Sequence, residues 1–386
     1  METMAEYLAE LVKAGLEDRK AASLPEGVSV REIVKISEEN HMDYLLLGAL
    51  LKTDGLSEEE KELLREKVLG SMLFTGMQLQ ELKKLEERME QAKIPCQPMK
   101  GARMKFYYPS PFLREMSDID ILIHGDFMEQ AAVELEAMGY VLQQKIKHHD
   151  IYRKAPGIVV EAHRAMYDRT VDERQYAYFS DLSRAVRRKG FLYVYDFEAE
   201  DFYIYMMAHI PTEFIRNLVD IYVFLEKFGG EMNADYLQKQ FAGLGLTAFT
   251  EHMEKLARIW LQGEPGEAFY QQLFDYMQGC GIYGKDENGI WNRFCDAQPE
   301  KGEKGRDALK RWYWFPPYEY MVLYYPWLSR NPVAGKFLLP AAWGIRAVRG
   351  VVCGRGKYKR EMLRQIDASQ IGVRQDIYRR LQLRFH

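Results

Sequence analysis

The chain has 386 residues, enough for two or three domains with a sizeable core. Its 53 Lys/Arg against 57 Asp/Glu leave a net charge of −4, which does not announce a nucleic-acid binder, and 47% apolar with 13% aromatic residues excludes a mainly disordered chain. No run of about 18 uncharged apolar residues occurs, so no membrane span is expected. The acidic, amphipathic start METMAEYLAELVKAGLEDRK lacks the basic-then-apolar layout of a signal peptide. Cys96, Cys280, Cys295 and Cys353 form no CxxC pair and read as reduced thiols, which points to the cytoplasm.

In chain order, residues 1–93 read as an N-terminal helical region. Helices are expected over 3–19 and 29–52. A third starts at the capping box Ser57-Glu58-Glu59-Glu60 and runs to about Ala92, with apolar residues at helical spacing (Leu64, Val68, Leu82, Leu85). From residue 94 the texture changes to a compact α+β unit extending to about 200. Ile94–Met99 is a short apolar strand candidate whose Pro95 and Pro98 suit an edge rather than a sheet centre. A helix-like GARMKFYY, a Pro-rich loop and the β-branched run Asp118-Ile119-Asp120-Ile121-Leu122-Ile123 follow. Asp126 is placed to cap a helix over 127–138 that Gly139 ends. Strands are expected over 140–146 and 157–163, with His148 and His149 between them.

Residues 201–386 read as a mainly helical domain: one long helix over 202–228, further helices over 233–278, a loop over 279–306, and an irregular aromatic stretch over 312–328 before a final helix. Trp312, Trp314, Phe315 and Tyr318 suit either a core or a platform on which a base stacks. Residues 336–386 carry 12 Lys/Arg against 3 Asp/Glu, whereas residues 1–335 carry 41 against 54. The basic tail fits a helix face packed on the acidic body, or a surface for phosphate groups such as those of RNA.

The sharpest chemical feature is Asp118-Ile119-Asp120. On a strand, alternate residues share a face, so both carboxylates project together. Like charges at that spacing repel unless a cation sits between them, and Mg²⁺ takes hard oxygen ligands. In Val159-Val160-Glu161-Ala162-His163, Glu161 and His163 share a face, and pairing beside the Asp118 strand makes Glu161 a third carboxylate on the same surface. Three carboxylates can hold two Mg²⁺ ions about 4 Å apart, the arrangement used for phosphoryl and nucleotidyl transfer. Lys100-Gly101 lies at a strand-to-helix turn where backbone N–H groups can approach an anion. Lys100, Arg103 and Arg114 can neutralise phosphate oxygens, and Ser117 can donate a hydrogen bond beside the carboxylates. His209 and Asp220, eleven residues apart, would share one face of a continuous helix, either lining a nucleotide or acceptor pocket or ordering the helical domain.

The stretch MKGARMKFYYPSPFLREMSDIDILI, followed by GYV, HH and VVEAH, resembles the uncharacterised bacterial nucleotidyltransferase family of the polymerase-beta-like superfamily. Residues 94–165 carry its strand, Lys-Gly, Tyr-Pro loop, Arg-x-x-x-Asp-Ile-Asp and Glu-x-His in order. His209, Asp220, the GIYG of 281–284 and the FPP…YPWL…LLP…R pattern of 315–346 resemble its helical C-terminal part. The resemblance implies an α+β fold with a small mixed-sheet core flanked by helical regions. It implies a two-metal enzyme using Mg²⁺ or Mn²⁺ that moves NMP from an NTP, chiefly ATP, to a hydroxyl of a small-molecule, protein or carbohydrate acceptor. Asp118, Asp120 and Glu161 would be the catalytic metal ligands. Lys100, Gly101, Arg103, Arg114, Ser117, His163, His209 and Asp220 would face the nucleotide. Lys100-Gly101-Ala102 replaces the Gly-Ser or Gly-Gly common in the superfamily. A DxD glycosyltransferase using a nucleotide sugar and a non-catalytic nucleotide-binding module are the alternatives; the former would need strand–helix alternation ahead of the motif, where this chain is helical.

Overall fold

The computed structural model describes residues 2–146, 148–167, 173–180, 182–210, 215–280, 302–352 and 368–383. The chain divides into two compact units, Met1–Ile282 and Tyr283–His386. The boundaries read from the sequence near 93 and 200 therefore fall inside the first unit.

Helices α1 (Glu2–Leu16), α2 (Val30–Asn40), α3 (Gly48–Leu50) and α4 (Glu58–Gln91) open the first unit, with a π-helical turn over Asp43–Leu47. The helix expected over 29–52 is interrupted because His41 adopts a left-handed conformation (φ 48°), which ends α2. The capping box at the head of α4 is formed: the Glu60 N–H donates to Ser57 Oγ at 3.2 Å, and the Ser57 N–H donates to Glu60 Oε2 at 2.8 Å. At 34 residues, α4 is about 50 Å long, and its C-terminal half presents Leu82, Leu85 and Met89 to the sheet.

The sheet contains β1 (Cys96–Pro98), β2 (Ile119–Ile123), β3 (Val141–Lys145), β4 (His149–Lys154) and β5 (Ile158–His163) in the order β1-β2-β5-β4-β3. Only β2 and β5 are parallel; the other neighbours are antiparallel, so the sheet is mixed. The fold is thus α+β, as the sequence suggested. Strand β1, flanked by Pro95 and carrying Pro98, lies at one edge, where Met99 and His124 N–H groups donate to Asp120 and Pro95 carbonyls. Its outer side is also engaged: the Cys96 N–H donates to the Tyr193 carbonyl at 2.8 Å, and Cys96 bridges Val194. At the opposite edge, β3 is mostly exposed, and its register to β4 shifts between Leu142 and Gln144.

Strand β4 was not expected from the sequence. HDIYRK mixes charged and apolar residues, yet His149, Asp150 and Tyr152 are buried because β5 and β3 cover both its edges. Helices α5 (Lys100–Met104) and α6 (Met128–Ala137) join β1 to β2 and β2 to β3. Helix α6 starts after Phe127 without a side-chain cap, so the cap expected from Asp126 does not form; Gly139 (φ 87°) ends the segment as expected. Alternation then divides the sheet. Ile119, Ile121 and Ile123 of β2, with Ile158, Val160 and Ala162 of β5, pack into one core with α4 and with Ala131 and Leu135 of α6. Asp120 and Glu161 take the other face.

After α7 (Glu173–Phe179) and the short hairpin β6 (Ala185–Arg187) and β7 (Tyr195–Phe197) come α8 (Ala199–His209), α9 (Ile215–Phe228), α10 (Ala234–Leu244), α11 (Thr247–Gln262) and α12 (Ala268–Cys280). The single helix expected over 202–228 is thus two helices, α8 and α9. Pro211, the GIYG motif and the part of the expected loop over 281–301 lie outside the described residues.

The second unit contains α13 (Gly302–Trp314), α14 (Tyr318–Tyr324), a 3₁₀ turn over Pro326–Arg330, α15 (Pro332–Phe337), α16 (Leu339–Val352) and α17 (Ala368–Arg380). The stretch read as irregular is therefore largely helical. Met321, Leu328 and Ala342 are its buried centre, with Tyr318, Tyr320, Trp327 and Trp343 packed around them. Trp314 and Phe315 are largely exposed, while the Tyr318 hydroxyl donates to the Leu328 carbonyl at 3.0 Å. Among the described residues, no helix is long and apolar enough to cross a membrane.

Burial lowers the pKa of two imidazoles in the first unit to about 4: His41, with the Arg216 and Arg114 charges adding to the effect, and His124, stacked on Tyr195. Below about pH 6.5 the unfolded chain binds protons at these rings and the native chain does not, so stability falls as pH drops from about 6.5 towards 4. Thermal melts should show a lower Tm at pH 4.5 than at pH 7, and His124→Gln should reduce the difference.

Candidate active site

Alternation between the two faces of the largely buried strands β2 and β5 builds the candidate site. Asp118 stands in the bend just before β2 and Asp120 within the strand, close enough for the Asp120 and Glu161 charges to bear on Asp118. Across the parallel pairing, Asp120 is the register partner of Glu161, so those carboxylates lie side by side. In the antiparallel pairing, His149 is the partner of His163 and joins the same face.

Two nitrogen groups meet Asp120. Lys100 Nζ donates to its Oδ1 at 2.7 Å, and His163 Nε2 lies 2.8 Å from the same oxygen. Glu161 Oε2 lies 3.4 Å from His163 Nε2 and 3.6 Å from His149 Nε2. Lys100 reaches Asp120 from the first position of α5, where its own backbone takes a left-handed conformation (φ 43°). Gly101 follows because the space beside it is filled: a Cβ there would sit 3.0 Å from both Arg114 Nη1 and Met116 Cβ.

The electrostatics follow from burial of like charges. Burial, then the Asp120 and Glu161 charges, push Asp118 up to about 7. Burial alone would raise Asp120, but Lys100 and His163 reverse it and hold its carboxyl well below the usual range. The neighbouring His163 ring lowers Glu161 against its burial. For His163, burial favours the neutral ring, yet the Asp120 and Glu161 carboxylates outweigh it and raise its pKa. A cation among Asp118, Asp120 and Glu161 would relieve the repulsion that adds to burial in raising Asp118. These three residues offer hard oxygen donors, the kind that Mg²⁺ takes.

The remaining residues singled out in the sequence occupy four settings. Ser117 is half-buried beside Asp118 at the entrance to β2. Arg103 pairs with Asp196 at 3.1 Å and lies over the Tyr107 ring; Arg188 binds the same Asp196 with two nitrogens, each at 2.8 Å, and also reaches Glu86. Arg114 and Asp220 are brought to each other. The buried guanidinium donates to both Asp220 oxygens, at 3.1 and 2.9 Å, and the Tyr108 hydroxyl donates to Oδ1 at 2.7 Å.

His209 ends α8, with its ring nitrogens 3.1 Å from the Tyr205 carbonyl and 2.9 Å from the Met166 carbonyl. Burial and the nearby Lys100 charge lower its pKa to about 3. Because His209 and Asp220 belong to different helices, the one-face spacing inferred for them does not apply. Sequence reasoning assigned no role to His149. The signal available was the His148-His149 pair itself, which gains meaning only once β4 sets His149 opposite His163.

The model of the uncharacterised nucleotidyltransferase family matches residues 26–262, more than half of the chain and including every residue of this cluster. The chain belongs to that family. Nucleotidyl transfer is accordingly its class of reaction. No curated protein gives a significant match. Among solved structures, this nucleotidyltransferase is similar to the crystal structure of ANT(2")-Ia in complex with adenylyl-2"-tobramycin, at 12% identity and a TM-score of 0.31 over 43% of this chain and 97% of that one. It is likewise similar to the solution structure of the antibiotic-resistance factor ANT(2'')-Ia, at 12% identity and a TM-score of 0.32 over 46% and 97%.

The Arg114–Asp220 pair yields a direct stability test. Removing one partner leaves a buried charge uncompensated, at a cost of about 3–5 kcal/mol. Arg114→Leu and Asp220→Leu should each lower the urea midpoint strongly, and the double variant should lose less than the two single losses combined.

Proposed function

We propose that this nucleotidyltransferase transfers NMP from an NTP to an acceptor hydroxyl by a two-metal mechanism. The single observation that carries the reading is the side-by-side register of Asp120 and Glu161 with Asp118 two residues away, a carboxylate surface whose mutual repulsion calls for divalent cations.

In this reading Asp118, Asp120 and Glu161 hold Mg²⁺ or Mn²⁺. Such ions supply positive charge to the reacting phosphate and lower the pKa of an attacking hydroxyl. The acceptor oxygen forms a bond to the α-phosphorus as the bond from that phosphorus to the β-phosphate bridging oxygen breaks, releasing pyrophosphate. The hydroxyl proton passes to Glu161 or to solvent. Lys100, now on Asp120, is within reach of phosphate charge and, with His163, holds the Asp120 carboxylate ionised. Gly101 allows Arg114 and Met116 to close against the Lys100 turn, while Ser117 borders Asp118. Arg103, Arg114, His209 and Asp220 serve the nucleotide indirectly, by fixing the segments around it. ATP is the proposed donor, and a small molecule, a protein or a carbohydrate the acceptor. The basic tail is proposed as a surface for RNA, and the cytoplasm as the compartment.

Calorimetry and thermal shift with each NTP, with and without Mg²⁺ or Mn²⁺, test the reading. Metal-dependent stabilisation by an NTP is expected in the wild type and should vanish in Asp118→Ala/Asp120→Ala. Binding that persists unchanged in the double variant would refute the metal assignment, whereas tight binding without any turnover in an acceptor screen would favour a non-catalytic module. Glu161→Gln should slow release of pyrophosphate from the bound NTP by about 100-fold or more, measured by a coupled phosphate assay.

A further inference from the structure

We propose that His149, Glu161 and His163 form a site for a borderline divalent ion such as Zn²⁺ or Co²⁺, set apart from the all-carboxylate site by its nitrogen donors. That Glu161 serves both sites rests on the reading given under Proposed function; binding of the borderline ion does not.

Three observations carry the inference. First, the sheet brings the donors together. His149 and His163 are cross-strand partners, Glu161 lies two residues before His163 on the same face, and one ligand atom from each falls within 4.8 Å of the others. Second, the spacing suits an ion better than hydrogen bonds. Both Nε2 atoms approach the same carboxylate oxygen, at 3.4 and 3.6 Å, beyond the usual N–H···O range of about 2.7–3.2 Å. Ligands about 2.0–2.1 Å from a tetrahedral ion lie about 3.3 Å apart, close to both separations. Third, each ring is only partly satisfied, although His163 Nε2 also lies 2.8 Å from Asp120 Oδ1. His149 and His163 are only 8% and 4% exposed, and Nδ1 of each is buried without a hydrogen-bond partner. Burying an unsatisfied polar group costs free energy, so both rings are held beside Glu161 at a cost, with Nε2 rather than Nδ1 turned to the carboxylate.

The donor set decides the class of ion. Two imidazoles with one carboxylate suit Zn²⁺ and Co²⁺, whereas Mg²⁺ prefers oxygen ligands. Three protein ligands leave a coordination position for water or a substrate oxygen. The ion would take the His163 Nε2 atom that now lies 2.8 Å from Asp120 Oδ1, leaving Lys100 as the partner of that carboxylate. One face of the sheet would thus sort two classes of cation, with Glu161 at their boundary.

The test is a Co²⁺ titration of untagged, chelator-treated full-length protein, read by visible absorption and followed by Zn²⁺ competition. Mg·ATP thermal shifts are run in parallel. The wild type should bind one Co²⁺ with a band between about 500 and 600 nm, stronger than that of the hydrated ion, and Zn²⁺ should displace it. His149→Gln should weaken Co²⁺ binding at least about tenfold while keeping the Mg·ATP shift, which also reports that the variant folds. Asp118→Asn should do the reverse. The proposal is overturned if the wild type gives only the hydrated-ion spectrum, a result independent of any variant's folding, or if His149→Gln binds Co²⁺ as the wild type does. Failure of the nucleotide reading would look different: no Mg·ATP shift in the wild type, with the Co²⁺ band intact.

Discussion

Repulsion among three carboxylates on one sheet face is the constraint around which the first unit is organised. Two carboxylates about 4 Å apart repel by roughly 4 kcal/mol in a partly buried setting, so a chain gathers them only where other interactions fix the backbone. Here the fixing comes from the opposite face. Isoleucines of β2 and the Ile158, Val160 and Ala162 series of β5 bury against α4 and α6, which leaves Asp120 and Glu161 no other side to occupy. Lys100 and His163 offset part of the charge, and burial together with the remaining repulsion raises the pKa of Asp118.

The loop between α5 and β2 determines how well that arrangement holds, because it delivers Asp118 to the sheet. It is fastened from three directions. Arg114 and Tyr108 bind Asp220 of α9. Glu115 accepts from the Tyr44 N–H and the Ser71 hydroxyl, both at 2.7 Å. Gln78 of α4 donates to the Met116 carbonyl at 3.0 Å. These polar ties are largely buried, so each is costly to leave half-made and together they select one loop conformation. Gly101 completes the closure by letting Arg114 and Met116 approach the turn that carries Lys100.

Much of this was legible in the sequence where the deciding forces are local. The capping box at Ser57, the prolines that suit β1 to an edge, and the period-two alternation placing Asp118 with Asp120 are read from neighbours in the chain. The pairing of β2 with β5 entered the sequence reading only as the condition under which Glu161 joins the two aspartates. What escaped depends on distant partners. Strand β4 looks too polar to be buried until β5 and β3 flank it. Arg114 and Asp220 are 106 residues apart, and nothing in their local sequence says that they meet. Helical spacing suggested a shared face for His209 and Asp220, a reading that required one helix where the chain has α8 and α9. The same dependence hid His149, whose chemistry appears only through its register with His163.

The two edges of the sheet bear on how the protein avoids sticking to itself. An edge with free backbone groups is a template for another strand, and a newly made chain meets many such strands. At β1 the template is spoiled by proline and by the bond from Cys96 to Tyr193. At β3 it is spoiled differently: the register shift near Leu142 distorts the ladder, and Lys145 puts a charge on the exposed margin. The distorted, charged β3 therefore offers a poor template for a further strand, so smoothing its register and replacing Lys145 by an apolar residue would trade solubility for a more regular sheet.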